Sequence, residues 1–327
     1  MYKIKGICYL LDYRHPLARL LKLNRNLDKN IIEEELAIIK QDLGCNTVRL
    51  ISDSNNKLIE AAEIALKLNL EPWVSNRLFG LNKKGACKEL SELAIACEEL
   101  RRRHQTKLVI VVANEPSLDT KFVWSLGPPF SHSKLEHFFS KNKYNAKLDL
   151  RTISSELAIQ IKKYFNGPIT LASGLWERID WKLYDYVGVN LYINKYNKNV
   201  YENSIDEYLV YKKPIVITEF GCCTFKGASD YGGSGWYYAS KNTVIYDEKE
   251  QADTIEKCIK IFKNMGVEGS FLLGYVEPKP FTRKKVLFGL EWLRFSAEGS
   301  YGIMNYFERE KELEPKLSYE TLKRIYK

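Results

Sequence analysis

Short apolar runs alternate with longer amphipathic stretches along this chain of 327 residues. Eight runs rich in Val, Ile and Tyr read as strands: 4–10 (IKGICYL), 46–52 (NTVRLIS), 70–75 (LEPWVS), 107–114 (KLVIVVAN), 168–173 (PITLAS), 186–192 (YVGVNLY), 214–219 (PIVITE) and 268–275 (EGSFLLGY). Between them apolar residues return every three or four positions, as in Ile32, Leu36, Ile39 and Leu43, and again in Leu150, Ile153, Leu157 and Ile161. That period gives a helix one buried face. Further helices are expected near 55–68, 86–103, 248–265 and 316–326. Strand-like runs alternating with helices argue for βα units around a parallel sheet. Eight such runs predict an α/β fold, a single (β/α)8 TIM barrel spanning residues 1–327.

Loop lengths support the same architecture. The returns from helix to strand are brief and carry turn residues: Gly44 with Cys45, Asn69, Asn166 with Gly167, and Met265 with Gly266. The segments after strands four, seven and eight are long, about 117–148, 220–247 and 276–315, and rich in aromatics such as Trp124, Phe130, Phe225, Tyr231, Trp236 and Trp292. A barrel enzyme builds its site from the loops that follow strands. Flat apolar rings there suit the faces of sugars, or simply pack as a lid.

The C-terminal ends of the strands therefore hold the candidate chemistry. Strand four runs VIVVANEP, placing Asn114 and Glu115 past an apolar run; strand seven runs PIVITEFG and places Glu219 likewise. A carboxylate at the edge of a buried apolar strand is unfavourable unless it is paired, hydrogen-bonded or used. Two carboxylates facing one another are what acetal hydrolysis needs, one to protonate the leaving oxygen and one to capture the oxocarbenium-like centre. Arg49 on strand two and Tyr192 on strand six are the expected donors that keep Glu219 ionised, and Asn114 the expected partner of a sugar hydroxyl. Asp12, in DYRH after strand one (Asp12, Tyr13, Arg14, His15), is either a sugar contact or a structural pair.

These residues carry a resemblance. NEP ending strand four, TEFG ending strand seven, Arg on strand two and Tyr on strand six resemble the clan A glycoside hydrolases. The resemblance implies a retaining mechanism with Glu115 as acid/base and Glu219 as nucleophile, acting on a β-type bond in an oligo- or polysaccharide, by hydrolysis or transglycosylation. DLGCNTVRL, LASGLWERIDW, YVGVNLY, ITEFGCCTFKGASDYGGSGW, DEKEQAD and SYGIM further resemble an orphan barrel family often labelled "abortive infection protein". Within GLWERIDW, Trp176 is a candidate sugar platform, while Glu177 and Asp180 either serve the site or pair locally. Clan members commonly close strand eight with a tryptophan that floors the cleavage subsite, whereas this chain reads FLLGYVEPKP, leaving Tyr275 and Trp236 as candidates for that floor and Glu277 as a loop acid or a substrate contact.

Composition narrows the remaining classes. The net charge of +9 raises the possibility of an anionic partner, but lysines are spread along the chain, and the dense run Arg101, Arg102 and Arg103 ends an expected helix. No nucleic-acid or membrane partner is expected. The four histidines, His15, His104, His132 and His137, have no metal-ligand spacing, and GGSGW at 232–236 follows no phosphate-binding pattern, so neither metal nor cofactor is expected. Seven cysteines without a disulfide framework, and an N-terminus that reads as a strand, predict a cytoplasmic protein, with Cys222 and Cys223 as packing residues. The alternative is a non-hydrolytic carbohydrate-binding or defence protein on the same barrel.

Overall fold

The computed structural model describes residues 2–12, 27–120, 148–276, 299–307 and 312–327. Tyr13, Arg14, His15, Trp124, Phe130, His132, His137, Glu277 and Trp292 lie outside the described residues.

Eight parallel strands close into a barrel: β1 (Ile4–Leu10), β2 (Thr47–Ser52), β3 (Glu71–Asn76), β4 (Val109–Asn114), β5 (Ile169–Gly174), β6 (Val187–Asn190), β7 (Ile215–Phe220) and β8 (Gly269–Leu272). Each pairs with its sequence neighbours and β8 pairs with β1, so every strand end of one polarity opens on the same rim. The expected fold class is the one observed. Helices α1 (Lys29–Gln41), α2 (Asn55–Lys67), α3 (Lys83–His104), α4 (Arg151–Lys162), α5 (Glu248–Asn264) and α6 (Leu317–Tyr326) pack outside. Asp28, Ser54, Asn82 and Asp247 accept a backbone N–H at the starts of α1, α2, α3 and α5.

The connections after β5 and β6 differ from simple βα units. Segment 175–186 makes a two-residue strand, Glu177–Arg178, paired with Leu148–Asp149, then a 3-10 turn at Trp181–Leu183. The connection from β6 to β7 uses two more 3-10 turns, Tyr201–Asn203 and Asp206–Tyr211. Neither stretch carries an apolar stripe long enough for a packed helix.

Alternation along the strands divides the core in two. Val109 and Val111 point into the barrel with Cys8, Trp73, Val216 and Phe271, whereas Ile110 and Val112 face the helices. Gly188 on β6 allows the interior to close, since a Cβ there would lie 2.2 Å from the Leu171 carbonyl oxygen. The arginine run is structural. Arg101 and Arg102 both reach Glu98 at 2.8 Å, and Arg103 reaches Glu99 at 2.6 Å. Among the described residues no helix is long and apolar enough to cross a membrane, and no His, Cys, Asp and Glu group could hold a metal.

Candidate active site

The rim at the C-terminal ends of the strands brings five expected residues together. Arg49 on β2 is fully buried, and one of its amino groups donates to the Thr218 carbonyl at 2.9 Å and lies 3.5 Å from Glu219 Oε2. Its other amino group donates to Asn114 Oδ1 at 2.6 Å and to Ser75 Oγ at 3.2 Å. A planar guanidinium suits this work, because its fixed fork addresses β3, β4 and β7 at once. Tyr192, just beyond β6, donates its hydroxyl to Glu219 Oε1 at 2.6 Å. Each oxygen of Glu219 therefore has its own donor, one of them cationic.

Glu115 sits in a different environment. It follows β4 at φ 36° and ψ 63°, a left-handed conformation that costs a non-glycine residue about 1–3 kcal/mol. The following Pro116 starts a one-turn helix, Pro116–Asp119, with φ already suited to that role. The Glu115 amide donates to the Ala172 carbonyl on β5 at 2.7 Å, which anchors the turn. Burial, then the negative charge of Glu219, push the Glu115 carboxyl well above the ordinary carboxylate range, against a smaller opposing effect of Asn190. Tyr192 is also pushed well above the usual tyrosine range, first by burial and then by Glu219, so it stays a neutral donor.

Asn190 is the site residue that sequence reasoning missed. Its Nδ2 donates to Glu115 Oε1 at 3.0 Å, and its Oδ1 accepts from Thr218 Oγ1 at 2.8 Å. A register shift between Val189 and Asn190 pairs Asn190 with Glu219 across β6 and β7, re-aiming the amide toward the rim. The signal was present, because a polar residue ends the apolar run VGVN, as Glu115 and Glu219 end theirs.

The other candidates make different contacts. Trp176 donates its indole N–H to Ser117 Oγ at 2.9 Å and so braces the turn behind Glu115. Asp12 accepts from Ser52 Oγ at 3.0 Å and from the Asp53 amide at 3.3 Å, with Lys57 at 3.6 Å; this is the structural pairing. Tyr275 does not floor a subsite. Strand β8 ends at Leu272, and Gly274, at φ 85°, breaks the alternation, turning Tyr275 outward to a fully buried place with its ring 6.2 Å from Tyr9. Trp236 packs against the cluster of Cys222, Cys223, Phe225 and Tyr301, edge-on to Tyr237 at 5.9 Å. Both cysteines are buried in that cluster, and Cys223 donates to the Gly299 carbonyl at 3.2 Å. Tyr231 stacks on Tyr238 at 3.8 Å, so these loop rings pack on one another. Asp180 caps the turn after β5 by accepting from the Lys182 amide at 3.2 Å.

Fold and rim together define a TIM-barrel protein with two glutamates in unequal environments at the C-terminal face. No family profile matches the chain, and no curated protein sequence does so either. Solved structures share its fold. A GH113 β-1,4-mannanase superposes with a TM-score of 0.61 at 13% identity, covering 100% of this chain and 99% of the other. A GH2 β-galacturonidase from Eisenbergiella tayi bound to galacturonate gives 0.61 at 18% identity, covering 99% of this chain and 51% of the other. A Bacteroides uniformis β-glucuronidase gives 0.60 at 14% identity, covering 100% and 35%. The chain thus spans about half the length of the galacturonidase and about a third of the glucuronidase. All three are glycoside hydrolases, and their likeness establishes the fold of this chain.

Proposed function

We propose that this chain is a retaining glycoside hydrolase, with Glu219 as nucleophile and Glu115 as acid/base. The observation that carries the reading is the unequal treatment of the two carboxyls. Glu219 is held by Tyr192 and Arg49, whereas Glu115 is pushed toward its protonated form by burial and by Glu219 itself. Two carboxyls whose environments drive their proton affinities apart are the arrangement that acid and nucleophile require.

The chemistry follows from that inequality. Glu219 attacks the anomeric carbon while the proton of Glu115 passes to the departing oxygen, leaving a glycosyl ester on Glu219. Esterification removes the Glu219 charge, which after burial is what raises the Glu115 carboxyl, so Glu115 becomes less basic once its proton has gone and serves as the base that activates water. Water then attacks the anomeric carbon and gives a proton to Glu115, while the bond to Glu219 breaks and Glu219 leaves as a carboxylate. Asn114, steered by Arg49, is placed to hold a hydroxyl beside the reacting carbon. A β-type linkage follows the clan A resemblance, and the β-glycosidase names of the fold neighbours agree with it.

Azide rescue with activated aryl β-glycosides tests the roles. Glu219→Ala with azide is expected to release the α-glycosyl azide, because azide takes the place of the nucleophile. Glu115→Ala is expected to release the β-glycosyl azide, because azide intercepts the glycosyl-enzyme. Reversed products would exchange the two roles. No turnover by wild type on any sugar would favour the sugar-binding alternative.

A further inference from the structure

Behind Glu115 lies a third carboxylate for which hydrolysis has no direct use. Glu177 is 1% exposed, and four donors converge on it. Its Oε1 accepts from the Ser117 amide at 2.8 Å and from Ser117 Oγ at 2.6 Å. Its Oε2 accepts from the Gly174 amide at 3.0 Å and from Ser173 Oγ at 3.1 Å. The first pair belongs to the one-turn helix that begins immediately after Glu115, and the second to the end of β5. Ser117 Oγ in turn accepts from Trp176. A buried carboxylate with every lone-pair direction engaged is a rigid joint, since losing one partner leaves a buried polar group unmade.

We propose that Glu177 is a positioning residue, whose carboxylate clamps the turn after β4 to the end of β5 and so holds the strained Glu115 backbone in the geometry its proton transfer needs. The inference rests on the acid/base reading of Glu115. Local pairing was one of the two roles open to Glu177 from the sequence; the pairing it makes is with the turn that carries the acid. Burial pushes the Glu177 carboxyl up to about 7 against its four donors, so above that pH the same placement puts a negative charge behind Glu115. The charged groups facing Glu115 are Glu219 from β7, Glu177 from the segment after β5, and Asp119 on its own turn, with Arg49 reaching Asn114 and Glu219 from β2. Asp119 is partly neutralised by Arg77 at 3.5 Å. Tyr208, from the connection after β6, also feels Glu177. Each of the three carboxylates raises Glu115, so removing the Glu177 charge lowers it.

The test compares wild type, Glu177→Gln and Ser117→Ala on two β-glycosides of one sugar, an alkyl glycoside that needs protonation and a 2,4-dinitrophenyl glycoside that does not. Both variants are expected to lose at least about tenfold in kcat/KM, which reports the glycosylation step, on the alkyl glycoside and far less on the dinitrophenyl one. Carbon-13 NMR of the Glu115 carboxyl, assigned by its absence in Glu115→Gln, is expected to titrate at lower pH in Glu177→Gln. Equal losses on both substrates would reduce Glu177 to a fold-supporting residue and overturn the proposal, as would an unmoved Glu115 titration in a folded variant. If wild type hydrolyses neither substrate, the hydrolase reading fails on its own, and the titration still decides whether Glu177 acts on Glu115. If Glu177→Gln does not fold, the leaving-group contrast in Ser117→Ala decides.

Discussion

At the scale of single residues, the site is a set of donors distributed unequally between two carboxyls. Tyr192 and Arg49 serve Glu219; Asn190 serves Glu115. Replacing Tyr192 by Phe removes a hydrogen bond to a charged group, a loss of about 1.5–3 kcal/mol, so kcat/KM is expected to fall roughly ten- to a hundredfold in steady-state assays. Glu115 also has a stability consequence. Its folded-state carboxyl is raised above the ordinary value, so its contribution favours the folded protein when protonated and is lost as pH rises through the folded value. Glu115→Gln is therefore expected to unfold at higher temperature than wild type at about pH 8 and to match it at about pH 4, followed by circular dichroism. Equal shifts at both pH values would contradict the raised carboxyl. Glu115 and Glu219 were legible in the sequence because a carboxylate ending an apolar strand has few reasons to be there, and Arg49 and Tyr192 as donors that strands two and six could bring to Glu219. Glu177 was less so, because its clamp joins two segments separated by 60 positions and only the fold brings them together.

At the scale of elements, apolar runs and helical spacing carried most of the fold, and the strand and helix cores lie where those patterns put them. Side-chain direction follows strand parity except where backbone irregularities reset it. Gly274 turned Tyr275 away from the rim, and the register shift before Asn190 turned that amide toward it. Neither is visible in hydrophobic periodicity. The connections after β5 and β6 escaped the βα pattern because short polar and aromatic segments close them by turns. On β6, Gly188→Ala is expected to destabilise the protein by about 1–3 kcal/mol in urea unfolding, because the added methyl meets the Leu171 carbonyl of the neighbouring strand β5. Unchanged stability would mean that the interior has slack there. The loop after β7 reaches the site through Tyr301, whose hydroxyl donates to the Gly232 carbonyl at 2.5 Å and whose ring lies 5.8 Å from Tyr192.

At the scale of the molecule, acidic groups on the outer layer fasten the last helix. Asp42, after α1, is held down to about 2, first by Lys323 and then by Tyr319, both on α6. Glu256 on α5 is held down to about 2 by Arg324 on α6 and by Lys260. Folded values below the unfolded ones mean that this stabilisation is present above the ordinary carboxylate range and is lost as pH falls toward about 2. Exposure and salt screening keep each pair small. Amide exchange in α6 is expected to accelerate before that of the barrel strands as pH drops below about 4, once corrected for intrinsic rates. Simultaneous release of helix and barrel would show that these contacts do not set the order of opening.

Glu219 as nucleophile is read out by intact-protein mass spectrometry after incubation with activated 2-fluoro-β-glycosides of several sugars, which accumulate the glycosyl-enzyme. A single adduct is expected, mapped by peptide digestion to Glu219, absent in Glu219→Gln and slower to form from poor leaving groups in Glu115→Gln. An adduct on any other residue, or none with a sugar that wild type demonstrably hydrolyses, would rule out Glu219 as the nucleophile.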